Sequence, residues 1–203
     1  MMAMSNLFRE YIRELITESI DPKIMSMIDE LESMGGSVIV LPDRVVIAQD
    51  KALDGKWPSP RRGYLAAVVW EDPGFGIAGP CDGANMVSSS FARKGLGPLA
   101  YDVAIELTGN LMPDRYSVSK PANKVWDRYM NNRPDIQVSQ LDNDLNDLTP
   151  ENEDNCAQDS AKHDARGWSQ PGEFWNSSLS KVYRKTGTPV IDELRKRGML
   201  VER

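Results

Sequence analysis

Apolar residues recur with a helical period near the start of the chain. Leu7, Phe8, Tyr11, Ile12, Leu15 and Ile16 form one continuous stripe. The spacing predicts an amphipathic helix from Ser5 to Ile20 with Ser5 as its N-cap, and Asp21-Pro22 stops it and starts another. The second helix runs from Pro22 to Met34, carries Ile24, Ile28 and Leu31 on one face, and ends at Gly35-Gly36. The pattern then becomes extended. Ser37 to Leu41 and Arg44 to Ala48 are β-branched runs joined at Pro42-Asp43, which reads as a hairpin. Tyr64 to Trp70 is the most apolar run and predicts a central strand, flanked by Pro/Gly-rich loops at Asp54 to Gly63 and Glu71 to Gly83. Ala84 to Ser90 predicts a short strand, Pro98 to Thr108 a helix, and Leu111-Met112 a further short strand. Ser119 caps another helix reaching about Asn131, with Ala122, Val125, Trp126 and Tyr129 facing inward. Asp135 to Leu141 alternates like an edge strand, and Val190 to Gly198 predicts a final amphipathic helix. Strands followed by strand–helix alternation, without an internal repeat, predict one α/β or α+β domain.

Composition narrows the chemistry. The 203 residues are 40% hydrophobic and 27% charged, with a net charge of −6, which suits a folded domain rather than a disordered chain. No apolar run approaches the roughly eighteen residues of a membrane span, and no charged segment leads into an apolar one as in a secretory signal. The two cysteines, Cys81 and Cys156, do not make a disulfide scaffold and point to a reducing compartment. With one histidine, His163, a His-based zinc site or a nucleophile–histidine pair is not expected. The negative charge is concentrated: residues 142 to 164 hold eight acids and one base, and the rest of the chain has 23 basic against 22 acidic residues. These totals give no basic face for nucleic acid.

The candidate chemistry lies between Met86 and Leu107. A strand leads into Arg93-Lys94-Gly95-Leu96-Gly97 and then a helix starting near Pro98. Two glycines at a strand-to-helix turn let backbone approach a ligand and aim N–H groups at an anion, beside the positive helix end and two full charges. Two readings stand: a phosphate cradle, or an ordinary turn before a helix. The Gly-x-x-x-x-Gly-Lys-Ser/Thr of a P-loop and the third glycine of a dinucleotide fingerprint are both missing.

Lys94-Gly95-Leu96-Gly97-Pro98-Leu99-Ala100 resembles motif A of the GNAT N-acetyltransferase superfamily, in which an Arg/Gln-x-x-Gly-x-Gly/Ala turn binds the pyrophosphate of acyl-CoA. The resemblance spans about residues 35 to 140. It implies a mixed, mostly antiparallel sheet flanked by helices, acetyl-CoA as cosubstrate, and an amine as acceptor. The cofactor would be held by Arg93, Lys94, Gly95, Leu96, Gly97 and Pro98, with Arg93 serving where Ala92 occupies the family's usual Arg or Gln position. The family's later helix carries Asn-x-x-Ala-x-x-x-Tyr, whose tyrosine protonates the departing thiolate. Ser119 and Ala122 match the first two positions, Trp126 occupies the tyrosine's place, and Tyr129, one turn on, is the candidate acid. The bland reading of Trp126 and Tyr129 is helix core. Glu71, with Asp72, is the candidate general base by position, against a solvated loop pair.

Gly97 to Ala104, Asp114 to Ser119 and Val125 to Arg133 resemble GNAT-like proteins of tailed phages. Phe8 to Ser19 is similar to capsid-targeting peptides of myovirus internal proteins, and Ile16-Thr17-Glu18 before Ser19 resembles a prohead-protease site. An ordinary surface helix explains the same residues. The resemblance implies the host cytoplasm or the virion as location, and capsid or other virion proteins as partners.

Asp142, Asp144, Asn146 and Glu153 fall at EF-hand positions, but Asp147 replaces the required glycine, so a solvated acidic loop is expected and no metal. The division expected is N-terminal helices over 1–34 (a capsid-targeting segment over 1–18), a GNAT-like domain over 35–141, the acidic loop over 142–167, and an extension over 168–203 packed on the domain through Trp168, Phe174 and Trp175. Two functions remain open: acetyl transfer to an amine, or a catalytically inactive virion or internal head protein that keeps the fold for structure or partner binding.

Overall fold

Asp21 and Pro22 open the first described helix, α1 (Pro22–Ser33). The Asp21 carboxylate accepts from the backbone N–H groups of Lys23 (2.9 Å) and Ile24 (3.3 Å), donors that a helix start leaves without an intrahelical partner. The computed structural model describes residues 20–49, 63–72, 84–114, 117–141 and 176–203. The expected Ser5–Ile20 helix, the targeting segment and its cleavage at Ser19, the acidic stretch, Cys81, Cys156, His163, and the packing of Trp168, Phe174 and Trp175 lie outside the described residues.

β1 (Ser37–Leu41) and β2 (Arg44–Ala48) make the hairpin about Pro42-Asp43, and β3 (Tyr64–Glu71) continues it antiparallel. β4 (Asn85–Ala92) runs antiparallel to β3; α2 (Gly97–Thr108) then carries the chain to β5 (Asn110–Met112), which lies parallel to β4. α3 (Lys120–Asn132) and β6 (Gln137–Gln140) follow, and β7 (Lys181–Arg184), α4 (Pro189–Lys196) and β8 (Leu200–Glu202) complete the order. The strands form one mixed sheet in the order β6-β7-β5-β4-β3-β2-β1-β8, parallel at β4–β5 and β1–β8 and antiparallel elsewhere. The protein is therefore mixed α/β, with a mostly antiparallel sheet.

The hydrophobic pattern predicts neither β7 nor β8. Lys181-Val182-Tyr183-Arg184 is too short and too charged to display a period of two. Residues 176–203, expected within an extension, supply an interior strand between β5 and β6 and an edge strand beside β1. The described C-terminal segment thus belongs to the same sheet as residues 35–141.

Alternate strand positions divide between the sheet faces. Val45, Ile47, Ala66 and Val68 join buried residues of the four described α-helices in the main core, while Ile39, Val46, Ala48 and Ala67 form a separate buried cluster. At the centre of the main core is α2, buried continuously from Leu99 to Glu106. Two of those residues are acids, and each has its charge answered. Arg133 donates to both oxygens of Asp102 (2.8 and 2.6 Å), and the Tyr129 hydroxyl donates to the same carboxylate (2.8 Å). Glu106 accepts from Lys185 Nζ (2.6 Å) and from the backbone N–H groups of Val190 and Ile191, so its carboxylate also caps α4. Burial pushes the Glu106 carboxyl above its ordinary range, against the pull of the Lys185 ammonium. These bonds fix α2 against α3 and α4, and α2 presents the site at its N-terminal end.

Candidate functional site

Between β4 and α2 the chain turns through two consecutive residues of positive φ, Lys94 (52°) and Gly95 (74°). Lys94 is the one non-glycine residue with positive φ among the described residues, a conformation that L side chains seldom adopt and that tends to mark functional turns. Gly97 serves a different need. A Cβ there would lie 3.1 Å from the Ala92 Cβ, so glycine lets the helix begin hard against the end of the strand. The N-cap residue of α2 is Leu96, and no side chain caps the helix. Its positive end is therefore directed to whatever occupies the space beyond.

That space is a cavity of about 440 Å³ between the end of β4 and the start of α3. Lys23, Arg93, Lys94, Lys124 and Arg128 line it, and no carboxylate among the described residues does. Arg128 also holds Asp21 through two hydrogen bonds (2.7 and 2.8 Å), tying α3 to α1. A chain of net charge −6 thus gathers five cations around one hollow. The hollow suits an anion with several charges.

A second cavity, of about 220 Å³, continues from the first. It exists because β4 and β5 pair only at Asn85–Leu111 and Met86–Met112, whereas β4 runs on to Ala92. Beyond Met86, the β5-facing edge of β4 has no ladder partner on β5. β4 also carries a bulge: Val69 is opposite Ser89 and Trp70 is opposite Val87, which leaves Ser88 without a counterpart on β3. Ser88, Ser89, Ser90, Asp114, Ser117 and Trp126 are among the residues lining this cavity. Ser90, Tyr101, Ser119 and Ala122 line both cavities. The Tyr101 hydroxyl donates to Ser90 Oγ (3.0 Å), and burial pushes its pKa up to about 12, against the smaller downward pull of that bond and with a further upward push from the charge of Asp114.

Of the residues expected to bind a cofactor, Arg93, Lys94, Gly95, Gly97 and Pro98 line the larger cavity. Leu96 does not; its side chain is fully buried in the core. Pro98 has no N–H and contributes wall rather than a donor. The candidate acid Tyr129 is placed elsewhere. It is fully buried, donates to Asp102, packs under Arg133, and lines neither cavity, so its phenol cannot meet a leaving group there. Trp126 does line the smaller cavity, stacked on Tyr183 (5.0 Å, 27°) and edge-on to Tyr101 (5.1 Å). Glu71 ends β3 opposite Met86, exposed, before β4 and β5 part; it and Asp72 are outside both linings.

The residues that sequence reasoning passed over are Tyr101, Asp114, Lys124 and Arg128. One signal was available: Ser88-Ser89-Ser90 puts three hydroxyls in succession on an interior strand, where a packed sheet would have apolar residues. No protein-family model, curated protein or solved structure matches the chain.

Proposed function

We propose that the chain is a GNAT-like acyltransferase that binds acetyl-CoA and passes its acetyl group to an amine. The observation that carries this reading is the parting of β4 from β5 directly beside a cation-lined hollow at an uncapped helix start. A nucleotide carrying several phosphates fits the hollow, and an extended arm fits the open edge of β4. Arg93, Lys94 and Gly95 bind the pyrophosphate with the backbone amides of the turn, and Lys23, Lys124 and Arg128 meet the remaining phosphate charge. The open edge of β4 offers backbone donors and acceptors to the amides of the pantetheine arm. The bulge at Ser88 leaves backbone outside the ladder where a carbonyl oxygen becomes negative as an amine attacks, which is where donors lower the barrier most. Acetyl-CoA supplies the thioester carbonyl. The Ser90–Tyr101 pair takes the role expected of Tyr129, as the hydroxyl donor nearest the junction of the two cavities.

Thermal melting with acetyl-CoA tests the reading. At a hundred times the dissociation constant the ligand adds about 2.7 kcal/mol of stability, which for a chain of this size raises the midpoint by roughly 5–11 °C. Acetyl-pantetheine, which lacks the nucleotide phosphates, gives no comparable rise. Absence of a shift at millimolar acetyl-CoA sinks the proposal.

A second reading, a fold kept for binding inside a phage particle, is favoured by Trp126 in the tyrosine position and by the burial of Tyr129. Acetyl-CoA binding without thiol release in the presence of amines selects it.

A further inference from the structure

The five cations around the larger cavity fall into two groups. Arg93 and Lys94 belong to the turn between β4 and α2. Lys23 is in the first turn of α1, and Lys124 and Arg128 are four residues apart on α3, on one face of that helix. The groups are at opposite ends of α1. Lys94 Nζ is 3.6 Å from Sδ of Met34, the C-cap residue of α1. Arg128 Nη2 donates to both oxygens of Asp21, the N-cap residue, whose Oδ1 also accepts from the Lys23 N–H (2.9 Å). The 12 residues of α1 span about 18 Å between those ends. A pyrophosphate is far shorter, so one held at the turn leaves the three cations near Asp21 for another anion.

We infer that Lys23, Lys124 and Arg128 form a second anion subsite that takes a phosphomonoester on the ribose of the nucleotide, so that the chain selects acetyl-CoA, with its 3′-phosphate, over the 3′-dephospho thioester. The inference rests on the acetyl-transfer reading for the identity of the ligand and adds to it the group that these three side chains read. Besides the spacing, two observations carry it. The first is charge balance. Of the five cations, Arg128 alone has a carboxylate partner among the described residues, which leaves four positive charges unanswered. At neutral pH a pyrophosphate diester brings about two negative charges, and a phosphomonoester brings about 1.5 to 2 more. The pyrophosphate alone answers Arg93 and Lys94 and leaves the two other lysines bare. The second is the state of Arg128. Its Nη2 is committed to Asp21, but Nε is buried with no acceptor, so the guanidinium keeps donor capacity for an oxygen set beside it. Asp21 is a positioning residue here: while capping α1 it holds the Arg128 fork at the cavity wall. Lys23 and Lys124, both exposed, stand beside that fork as point charges. The subsite thus joins α1 to α3 and owes nothing to the glycines of the turn.

Calorimetric titration with acetyl-CoA and with acetyl-3′-dephospho-CoA tests the subsite. The wild type should bind acetyl-CoA about tenfold or more tighter, the scale of a charged hydrogen bond. The double variant Lys23→Gln/Lys124→Gln changes two exposed side chains, and its unliganded melting midpoint reports whether it is folded. It should lose most of the preference by weakening acetyl-CoA alone. Arg93→Gln should weaken both thioesters by one factor and keep the preference. Equal affinity of the wild type for the two thioesters, or a double variant that weakens both alike, overturns the inference and leaves acetyl-CoA binding standing. If neither thioester binds, the acetyl-transfer reading fails, and adenosine 3′,5′-bisphosphate titrated against adenosine 5′-monophosphate decides. Tighter binding of the bisphosphate that the double variant loses supports the subsite. Equal binding of the two nucleotides, or binding of neither, overturns it.

Discussion

Replacing Tyr101 by phenylalanine should cost stability near neutral pH and restore it in alkali. The ring is buried, 3% exposed, and phenylalanine fills the same space, so the neutral-pH effect is the loss of the hydroxyl's bond to Ser90, about 1 kcal/mol. The alkaline effect has the opposite sign. An unfolded tyrosine ionises near 10, and Tyr101 in the folded chain does so only near 12. Below pH 10 both states hold the proton and the group adds no pH dependence. Between 10 and 12 the unfolded state sheds its proton first, so the folded wild type loses stability as pH rises. At pH 11 the loss is about 1.4 kcal/mol, and above pH 12 it approaches about 2.7 kcal/mol. The variant escapes it. Tyr129, also pushed upward, chiefly by burial, is present in both proteins, so its shift cancels in the difference apart from the smallest contribution, which comes from Tyr101 itself. Urea denaturation at pH 8 should therefore find Tyr101→Phe less stable by about 1 kcal/mol, with the two proteins crossing near pH 11. A stability difference of the same sign and size at both pH values would refute the placement of this hydroxyl in a dry environment.

Two further outcomes follow from the geometry. Gly95→Ala meets open space but must hold φ near +74°, so it should cost about 1 kcal/mol and keep acetyl-CoA binding, whereas Gly97→Ala presses on Ala92, lifts the helix start from β4 and weakens that binding; equal effects on binding would contradict this. Lys185→Met leaves Glu106 without its ammonium partner in the core and should cost about 3–5 kcal/mol by urea denaturation; a loss below about 1 kcal/mol would show the network to be dispensable.

The turn at 93–97 was legible because its logic is local: two glycines, two cations and a strand-to-helix change lie within a few residues. Tyr129 was not, because a helical stripe records which residues share a face and says nothing of what that face meets. Ala122, Val125, Trp126 and Tyr129 do share one, and all are buried, but the stripe runs from the cavity wall at Ala122 into the core at Tyr129. The phenol that reaches the site comes from α2, a helix with no polar face to draw attention to it. Asp114 was equally silent. Its place on the wall of the smaller cavity depends on β5 being short and on β4 outlasting it, a fact of pairing register. β7 was missed for a related reason: four residues show no periodicity, and what makes them a strand is the pair of edges, on β5 and β6, that they join.

The insertion of β7 also sets the order in which the protein can be made. As the chain is synthesised, β5 and β6 emerge with no bond between them, since each pairs with the strand that begins at Lys181. The ring of Tyr183 on that strand is the surface on which Trp126 rests, so one wall of the smaller cavity has no backing until then. Glu106 likewise waits for Lys185 and the first turn of α4, and β1, among the earliest strands made, receives β8 last of all. A ribosome halted before Lys181 would hold a chain with the Arg93–Gly97 turn already written but the pocket beside it unfinished. The wall of the smaller cavity would then be completed late and abruptly, once residues 181–202 have emerged, because these long-range pairings close together.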